Sequence, residues 1–346
     1  MRVTGSSRIF CTEEKMPNKK VAGLILLLLL LLLAASALAM LSGPAEFSLS
    51  AWGDILLGRG SDTALFVLRF LRLPRLAAGL LAGAGLAVAG TIIQTVFDNP
   101  LASPNLIGVN AGAGFSVVVC SMLFPTAYFL LPGAAFAGAL SAMLFIYFLG
   151  SRARFSKLAL ILAGIAVNSL VNSATDFIYS VRDDAMLGSK LFRTGSLSAV
   201  DERVLAPAGL VILVAMVLAY LFRNELEVLS VGEETATSLG LRLKSYRFLF
   251  LILASVLAGA SVSFAGLIGF MGLVVPHVAR LLVGGEMRYL LPVSALTGAL
   301  LLVSCDAASR LVFAPYEVPV GIVISLLGVP FFLWLLLRRK RSWQNA

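Results

Sequence analysis

Few side chains in this sequence are of the kinds that do acid–base, metal or redox chemistry. His277 is the only histidine, and the cysteines Cys11, Cys120 and Cys305 show neither metal-ligand nor disulfide spacing. We expect His277, in "VVPHVAR", to make a structural hydrogen bond, and Cys120 and Cys305 to pack in the core. An embedded metalloenzyme would need clustered His, Asp or Glu, so the sequence predicts neither a metal site nor an enzyme.

A loop for binding nucleotide phosphates is not found either. The string "GAGLAVAG" (83–90) does not fit the G-x-G-x-x-G pattern, and no Gly-Lys pair occurs in the chain. The chain therefore cannot bind ATP through a P-loop of its own, and we expect it to bind no cofactor.

A polar stripe along one apolar stretch is the best candidate for contact with a solute. Asn168, Asn172 and Asp176 are spaced i, i+4, i+8 and so share one helix face, with Ser169 and Ser173 beside them. Polar side chains inside a membrane helix either hold helices together or line water. The residues alone leave both roles open.

The composition identifies the elements that must position these residues. The chain is 59% hydrophobic and 13% charged, with a net charge of +9, whereas soluble domains are roughly 25% charged. The long, continuous apolar runs predict membrane-spanning helices and exclude a β-barrel. In such a protein the positive charge indicates basic cytoplasmic loops and no nucleic-acid partner.

Ten spans are predicted in one all-α polytopic domain: 21–41, 65–96, 105–124, 127–149, 156–180, 203–222, 245–266, 273–284, 289–312 and 319–337. This domain covers 21–340, between tails at 1–20 and 341–346, and includes a cytoplasmic loop at 223–247. The first span resembles a signal peptide ending in "ASALAM" but is longer than the ~7–15 apolar residues typical of one, so we expect it to be retained. Met16 is an alternative start.

The distribution of basic residues predicts the orientation. With the N-terminus inside, the inner segments hold 17 Lys and Arg residues and the outer segments hold nine, so both termini are expected in the cytoplasm. Arg69, Arg72, Arg75 and Arg310 fall on the outer side, against the rule. They are therefore candidates for a specific role there, with snorkelling towards lipid headgroups as the alternative.

The sequence contains an internal repeat. "LAGAGLAVAGTI" (81–92) aligns with "LAGASVSFAGLI" (257–268), and the same offset pairs Pro100 with Pro276 and Gly108 with Gly284. The two copies lie in spans of opposite predicted direction, which is an inverted repeat of the kind found in transporters. Chance similarity of Ala/Gly-rich helices is the alternative. Gly79-x3-Gly83 and Gly108-x3-Gly112 predict close approach of helix backbones.

The string "FDNPLASPNLIGV" (97–109) predicts a sharp break after the second span. Asn99-Pro100 and Ser103-Pro104 cannot continue a helix, because a proline pushes the preceding residue towards extended geometry. We expect Asp98 or Asn99 to cap the next helix. A purely structural hairpin is the alternative to a functional contact.

The longest cytoplasmic loop, 223–247, contains a candidate docking element. Residues from Glu233 to Leu239 predict a short amphipathic helix ended at Gly240. The acidic start, Glu233-Glu234, does not suit an anionic membrane surface. The pattern therefore favours docking into a soluble partner over an interfacial helix on lipid.

Several strings together resemble the FecCD permease family, the membrane subunits of type II ABC importers for ferric siderophores, haem and cobalamin. The resemblance covers roughly 21–340 and is carried by "RLPRLAAGLLAGAGLAVAGTIIQTVFDNPLASPNLIGVNAGAG" (72–114), "GSLSAVDE" (195–202), "GEETATSLGL" (232–241), "GFMGLVVPHVARLLVGGEMRYLLP" (269–292) and "DAASRLVFAPYEVPVGIVISLLGVPFFLWLLLRR" (306–339).

The resemblance implies a machine of several subunits in the bacterial cytoplasmic (inner) membrane. It implies a second copy of this chain, two ATP-binding cassette subunits that bind ATP and Mg, one substrate-binding protein, and surrounding lipid. The cargo it implies is an iron chelate, a ferric siderophore first, with haem or cobalamin as alternatives. An ion-coupled secondary transporter is the rival of a different class, but Asp98, Asp176 and Asp306 lie towards span ends and not at mid-membrane.

The resemblance also implies roles for particular residues. It implies coupling to the ATPase by Glu233, Glu234, Thr235, Ala236, Thr237, Ser238, Leu239 and Gly240. It implies docking of the binding protein by Arg72, Arg75 and Arg310, with Arg69 as a further candidate. It implies a translocation path along the fifth and tenth helices, at Asn168, Ser169, Asn172, Ser173, Asp176, Gly321, Ser325 and Gly328. It places Asn99, Pro100 and Pro104 in a turn that closes the cytoplasmic end of the second helix.

One loop departs from the family pattern. Many members have an aromatic residue before "GS", as in W-x-x-G-S, whereas this chain reads "LFRTGSL", with Phe192 and Arg193. We expect contacts with substrate or binding protein to differ at this loop.

Overall fold

The computed structural model describes residues 18–41, 61–124, 126–152, 157–181, 189, 192–198, 200–312 and 316–344. Over these residues the chain folds into thirteen α-helices and no strand. Most of the two predicted tails lies outside the described residues. Lys19 and Lys20 already belong to the first helix, and the last helix runs to Gln344.

The α-helices are listed here in chain order: α1 (Asn18–Leu41), α2 (Asp62–Phe66), α3 (Leu73–Val96), α4 (Val109–Leu123), α5 (Leu131–Arg152), α6 (Lys157–Val181), α7 (Glu202–Leu221), α8 (Arg223–Ser230), α9 (Glu233–Ser238), α10 (Leu243–Ala265), α11 (Met271–Val283), α12 (Met287–Val312) and α13 (Val320–Gln344). A π-helical segment, Val67–Arg72, makes α2 continuous with α3.

The helices confirm an all-α polytopic membrane architecture. In the described part of the chain, seven helical segments are long and apolar enough to cross a membrane, and three shorter apolar helices accompany them: Val109–Leu123, Met271–Val283 and Val320–Trp334. These ten coincide with the ten predicted spans to within a few residues at almost every boundary. The direction of each span relative to the membrane stays a prediction.

Helix α3 lies at the centre of the bundle, where it packs against α7, α10, α11 and α12. Every residue from Ala82 to Phe97 is buried. Small side chains allow this, because a Cβ at Gly83 would lie 2.4 Å from the carbonyl oxygen of Gly298 in α12. The close backbone approach predicted from the glycine spacing is therefore present, and it is repeated where Gly112 of α4 meets Gly138 of α5.

Helices at the edge of the bundle present apolar side chains outwards. In α6, Leu170 and Phe177 are both 68% exposed, and in α13 Leu326 is 65% exposed. Continuous exposed apolar faces of this kind need a covering of lipid or of another subunit.

The two copies of the repeat do not share their helix limits. The first copy (81–92) lies inside α3, whereas the second (257–268) runs past the end of α10 at Ala265. The paired glycines Gly108 and Gly284 both have a positive φ, of 79° and 77°, but Gly108 precedes a helix and Gly284 follows one. The inverted orientation of the copies stays a prediction.

Candidate coupling, docking and translocation surfaces

The predicted break after the second span is a tight turn held by its own asparagine. Helix α3 ends at Val96, and Asp98 adopts a positive φ of 49°. The Asn99 amide donates to the Gln94 carbonyl at 3.0 Å, while its side-chain oxygen accepts from the Leu101 amide at 2.9 Å. Asparagine commonly closes a turn on its own backbone in this way.

The expectation that Asp98 or Asn99 caps the next helix is wrong. A 3-10 helix, Pro104–Ile107, intervenes, and Gly108 occupies the N-cap position of α4 without any side-chain cap. The side chain of Asn99 is used inside its own turn, so it does not reach α4.

This turn is tied to two other helices. The Asn168 side chain of α6 donates to the Asn105 carbonyl at 2.7 Å, and Pro104 packs against Gly272 of α11. One member of the polar stripe therefore joins helices. Its buried Oδ1 atom has no hydrogen-bond partner in the described structure.

The predicted docking helix is α9, and its end is built by Gly240. The Leu241 amide donates to the Ala236 carbonyl and the Gly240 amide to the Thr237 carbonyl, at 3.0 and 2.9 Å. These are the two hydrogen bonds of a Schellman motif, which needs a left-handed residue at the position of Gly240, whose φ is 82°. The helix ends at Ser238, with Leu239 as its cap, in agreement with the predicted stop.

An ion pair fixes α9 to a membrane-spanning helix. Arg247 is a buried residue of α10, and its Nη2 atom lies 2.6 Å from Oε1 of Glu233 in α9. Ala236, on the inner face of α9, is also buried. The outer face stays exposed and includes Leu239, an apolar side chain 67% exposed. A movement imposed on α9 would therefore reach α10 directly.

Helix α8, just before α9, was missed by the sequence reading. Its sequence "RNELEVLS" is short and rich in charged residues, a composition that is typical of a loop. The signal that could have found it is the pair Leu226 and Leu229, which is spaced for one helix face and is buried.

The outer arginines are engaged inside the subunit. Arg75 of α3 forms ion pairs with Asp306 of α12 and with Glu317, each at 2.9 Å, and Arg310 pairs with the other oxygen of Asp306 at 2.9 Å. Asp306 and Arg310 are spaced i, i+4 on α12, so their side chains lie on one helix face. The partnership of Arg75 with Asp306 and Glu317 was missed, although buried charges in apolar helices signal pairing.

The other two arginines proposed for docking the binding protein, Arg72 and Arg69, differ in solvent exposure. Arg72 is buried and donates to the Met40 carbonyl at the end of α1. Arg69 is exposed, with its guanidinium carbon 5.7 Å from the centre of the Phe70 ring. Docking of a binding protein by these arginines stays a prediction, and Arg69 is the most accessible of the four.

Two neighbouring cavities bring the fifth and tenth spans together. Asn172 and Asp176 of α6 line a cavity of about 330 Å³, and Gly321 and Ser325 of α13 line one of about 570 Å³. Both cavities are also lined by Arg193 and Leu267. The predicted stripe and the predicted small-residue face therefore meet around one loop.

The remaining path candidates lie elsewhere. Ser169 and Ser173 are exposed on α6 outside both cavities. Gly328 packs against Phe270 and lines a separate apolar cavity of about 340 Å³ between α11, α12 and α13. Gly328 and Ser325 therefore line different cavities, although residues three apart lie on neighbouring parts of a helix surface.

A polar contact between α3 and α11 was also missed. Arg280 donates to the side-chain oxygen of Gln94 at 2.5 Å, and the Gln94 nitrogen donates to the Leu273 carbonyl at 3.2 Å. Polar residues inside apolar helices were the available signal. His277 lies edge-on to Phe331, with the ring centres 6.3 Å apart.

No group of three or more His, Cys, Asp or Glu residues that could hold a metal ion occurs among the residues that the structure describes.

Comparisons with known proteins agree on one family. The model of the FecCD transport family matches residues 27–338. The chain is 40% identical over 276 residues to the Fe(3+) dicitrate transport system permease protein FecD of Escherichia coli (strain K12), covering 80% of this chain and 86% of the relative. It is 39% identical over 278 residues to the hemin transport system permease protein HmuU of Yersinia pestis, covering 79% and 83%.

A solved structure has the same architecture. An inward-facing metal-chelate type ABC transporter superposes with a TM-score of 0.79 at 26% identity, covering 91% of this chain and 99% of that one.

Proposed function

Because the chain belongs to the FecCD transport family, it is a permease subunit of an ABC importer, and we propose that its cargo is an iron chelate. As such a permease it works with ATPase and substrate-binding partners. The structural observation that best fits a permease coupled to an ATPase is α9, a short helix exposed on one side and tied to a spanning helix on the other. The proposed cargo rests on the relatives. The similar proteins named above, for ferric dicitrate and hemin, both carry an iron complex.

We infer that α9 is the helix on which the ATPase acts. Its exposed face offers Glu234, Thr237 and Leu239 to a groove of a soluble subunit. Closure of the ATPase would push α9, and the pair between Glu233 and Arg247 would pass this movement to α10. Since α10 packs against α3, α5 and α7, the movement would spread into the bundle.

We infer that two copies of the chain enclose the path between them. The exposed apolar faces of α6 and α13 need a covering, and these helices carry the two cavities described above. Two such permeases with two ATPase subunits and one binding protein give the complete importer. It would reside in the cytoplasmic membrane with both termini in the cytoplasm.

The test is to purify the permease with its ATPase and binding protein and to measure ATP hydrolysis with candidate ligands. We expect one ferric chelate to stimulate hydrolysis and to enter sealed proteoliposomes. Stimulation by cobalamin or by an iron-free ligand, and by no ferric chelate, would contradict the proposed cargo while leaving the ABC permease assignment intact.

A further inference from the structure

The loop between α6 and α7 holds Arg193 on a rigid support. The Phe192 carbonyl accepts from the Leu267 amide at 2.8 Å, and the Ser196 amide donates to the Ala265 carbonyl at 3.0 Å. The Gly195 carbonyl also accepts from the Gly321 amide at 3.1 Å. Segment 192–196 is thus fixed to the end of α10 and to the start of α13, which keeps Arg193 in a defined position.

Arg193 determines the charge of the larger cavity. Among the described residues that line the cavity of about 570 Å³, Arg193 is the only ionisable one, and the rest are apolar or carry a hydroxyl. The volume is in the range of about 300–1,000 Å³ that small-molecule sites occupy. The adjoining cavity of about 330 Å³ is lined by Arg193 together with Asp176 and two asparagines. The positive charge of Arg193 therefore dominates only in the larger cavity, on the α13 side.

The charge of Arg193 is not neutralised within the described part of the subunit. Its guanidinium carbon lies 4.9 Å from the centre of the Tyr179 ring, and Tyr179 itself shares a 2.7 Å hydrogen bond with Ser189. No described carboxylate forms an ion pair with Arg193, in contrast to Arg75 and Arg310. The ring steadies the guanidinium without occupying its donors.

We propose that Arg193 recognises the carboxylates of the cargo, so that the importer carries anionic ferric chelates that bear carboxylate groups. The proposal rests on the function proposed above and narrows its substrate class. A guanidinium pairs with a carboxylate through a planar, two-pronged hydrogen-bonding geometry, which a neutral chelate cannot match. In the two-fold assembly the second copy would present its own Arg193 to the same path.

The test is uptake of ⁵⁵Fe by the whole importer in proteoliposomes, with ferric dicitrate as the anionic probe and a ferric trihydroxamate as the neutral probe. We expect wild type to carry the anionic probe. R193Q should reduce that uptake roughly tenfold, as for loss of a charge-assisted pair, and R193K should restore only part of it, because an ammonium group keeps the charge but cannot form the two-pronged pair. R203Q is the matched control, because Arg203 is exposed in the same outer segment but lines neither cavity.

The possible results distinguish a role of Arg193 in cargo recognition from misfolding of the variant and from failure of the proposed function. Arg193 is exposed, so the melting temperature of R193Q and its co-purification with the ATPase should be unchanged, which separates lost recognition from misfolding. Uptake of the neutral probe alone, or equal uptake of the anionic probe by wild type and R193Q, would overturn the role of Arg193 and leave the proposed function standing. Uptake of neither ferric probe by wild type would count against the proposed function, and the inference would fall with it.

Discussion

Gly240 shows how a single residue can set the shape of a docking element. An added Cβ there would meet no atom within 4 Å, so space does not require glycine. The requirement comes from the left-handed φ of 82°, which costs an L-residue about 1–2 kcal/mol. The end of α9 and the direction of the chain into α10 therefore depend on this backbone conformation.

We predict that Gly240→Val disrupts the end of α9 and lowers ligand-stimulated ATP hydrolysis, while insertion in the membrane survives. The matched control is Gly285→Val. Gly285 also has open space around its Cβ position, but it is not among the described glycines with a positive φ. Co-purification of the ATPase and its stimulated turnover are the measurements. Equal turnover in both variants would argue against coupling through this cap.

The arginines at the start of α3 and just before it illustrate contacts that a sequence cannot reveal. Orientation counting singled them out, but the partners of Arg75 lie 231 and 242 residues away in the chain. No local pattern predicts such a contact. The network of Arg75, Asp306, Arg310 and Glu317 is therefore a finding of the structure, and it gives Arg75 a role within the subunit.

We predict that Arg75→Ala and Arg69→Glu fail in different ways. Arg75→Ala leaves the buried Asp306 with Arg310 as its remaining ion-pair partner. The stability loss should thus be less than the ~3–5 kcal/mol for breaking an isolated buried pair, yet measurable as a lower melting temperature. Arg69→Glu should leave stability unchanged and weaken capture of the binding protein, more strongly at low salt. Unaltered affinity in Arg69→Glu would leave snorkelling as the explanation of its position.

At the scale of helices, the contact between α3 and α12 depends on the absence of side chains. Gly83 and Gly298 bring two backbones together at the centre of the bundle, next to the buried stretch of α3. In a membrane, helices associate largely through such close packing, because the lipid is as apolar as the helix surface.

We predict that Gly83→Val destabilises the permease by at least ~1–3 kcal/mol, since its Cβ would lie 2.4 Å from the Gly298 carbonyl oxygen and the helices would have to separate. Gly133→Val, at an exposed helical site with open space, is the control. Thermal unfolding in detergent measures the difference. Melting temperatures that match for the two variants would contradict the packing account.

Helix positions were predictable because their causes are local. A run of apolar residues long enough to cross a membrane, stopped before Asn99-Pro100, fixes a helix without knowledge of its neighbours. Gly240 fixes the end of the short helix α9 by the same kind of local signal. The start of α4 was not predictable in the same way. The side chain of Asn99 accepts a hydrogen bond from Leu101 inside its own turn, so it is not available to cap the helix. Helix α8 was missed since its charged sequence hides a buried pair of leucines.

At the scale of the whole molecule, the path along the fifth and tenth spans stays a prediction, and the sequence did not show how the residues assigned to it divide. The stripe on α6 separates into Asn168, which joins helices, and Asn172 and Asp176, which line a cavity. Arg193 was noted only as a departure from the family pattern. Its position between two cavities depends on hydrogen bonds from two distant segments, the end of α10 and the start of α13, which a linear sequence does not display.

The central claim is that this bundle has no energy source of its own and is moved by an ATPase acting at α9. The most direct measurement is uptake of ⁵⁵Fe chelate into proteoliposomes that contain either the chain alone or the complete importer. We predict accumulation only with the ATPase, the binding protein and ATP, and no loss of uptake when an uncoupler abolishes ion gradients. Uphill uptake by the chain alone, driven by a proton or sodium gradient, would contradict the account.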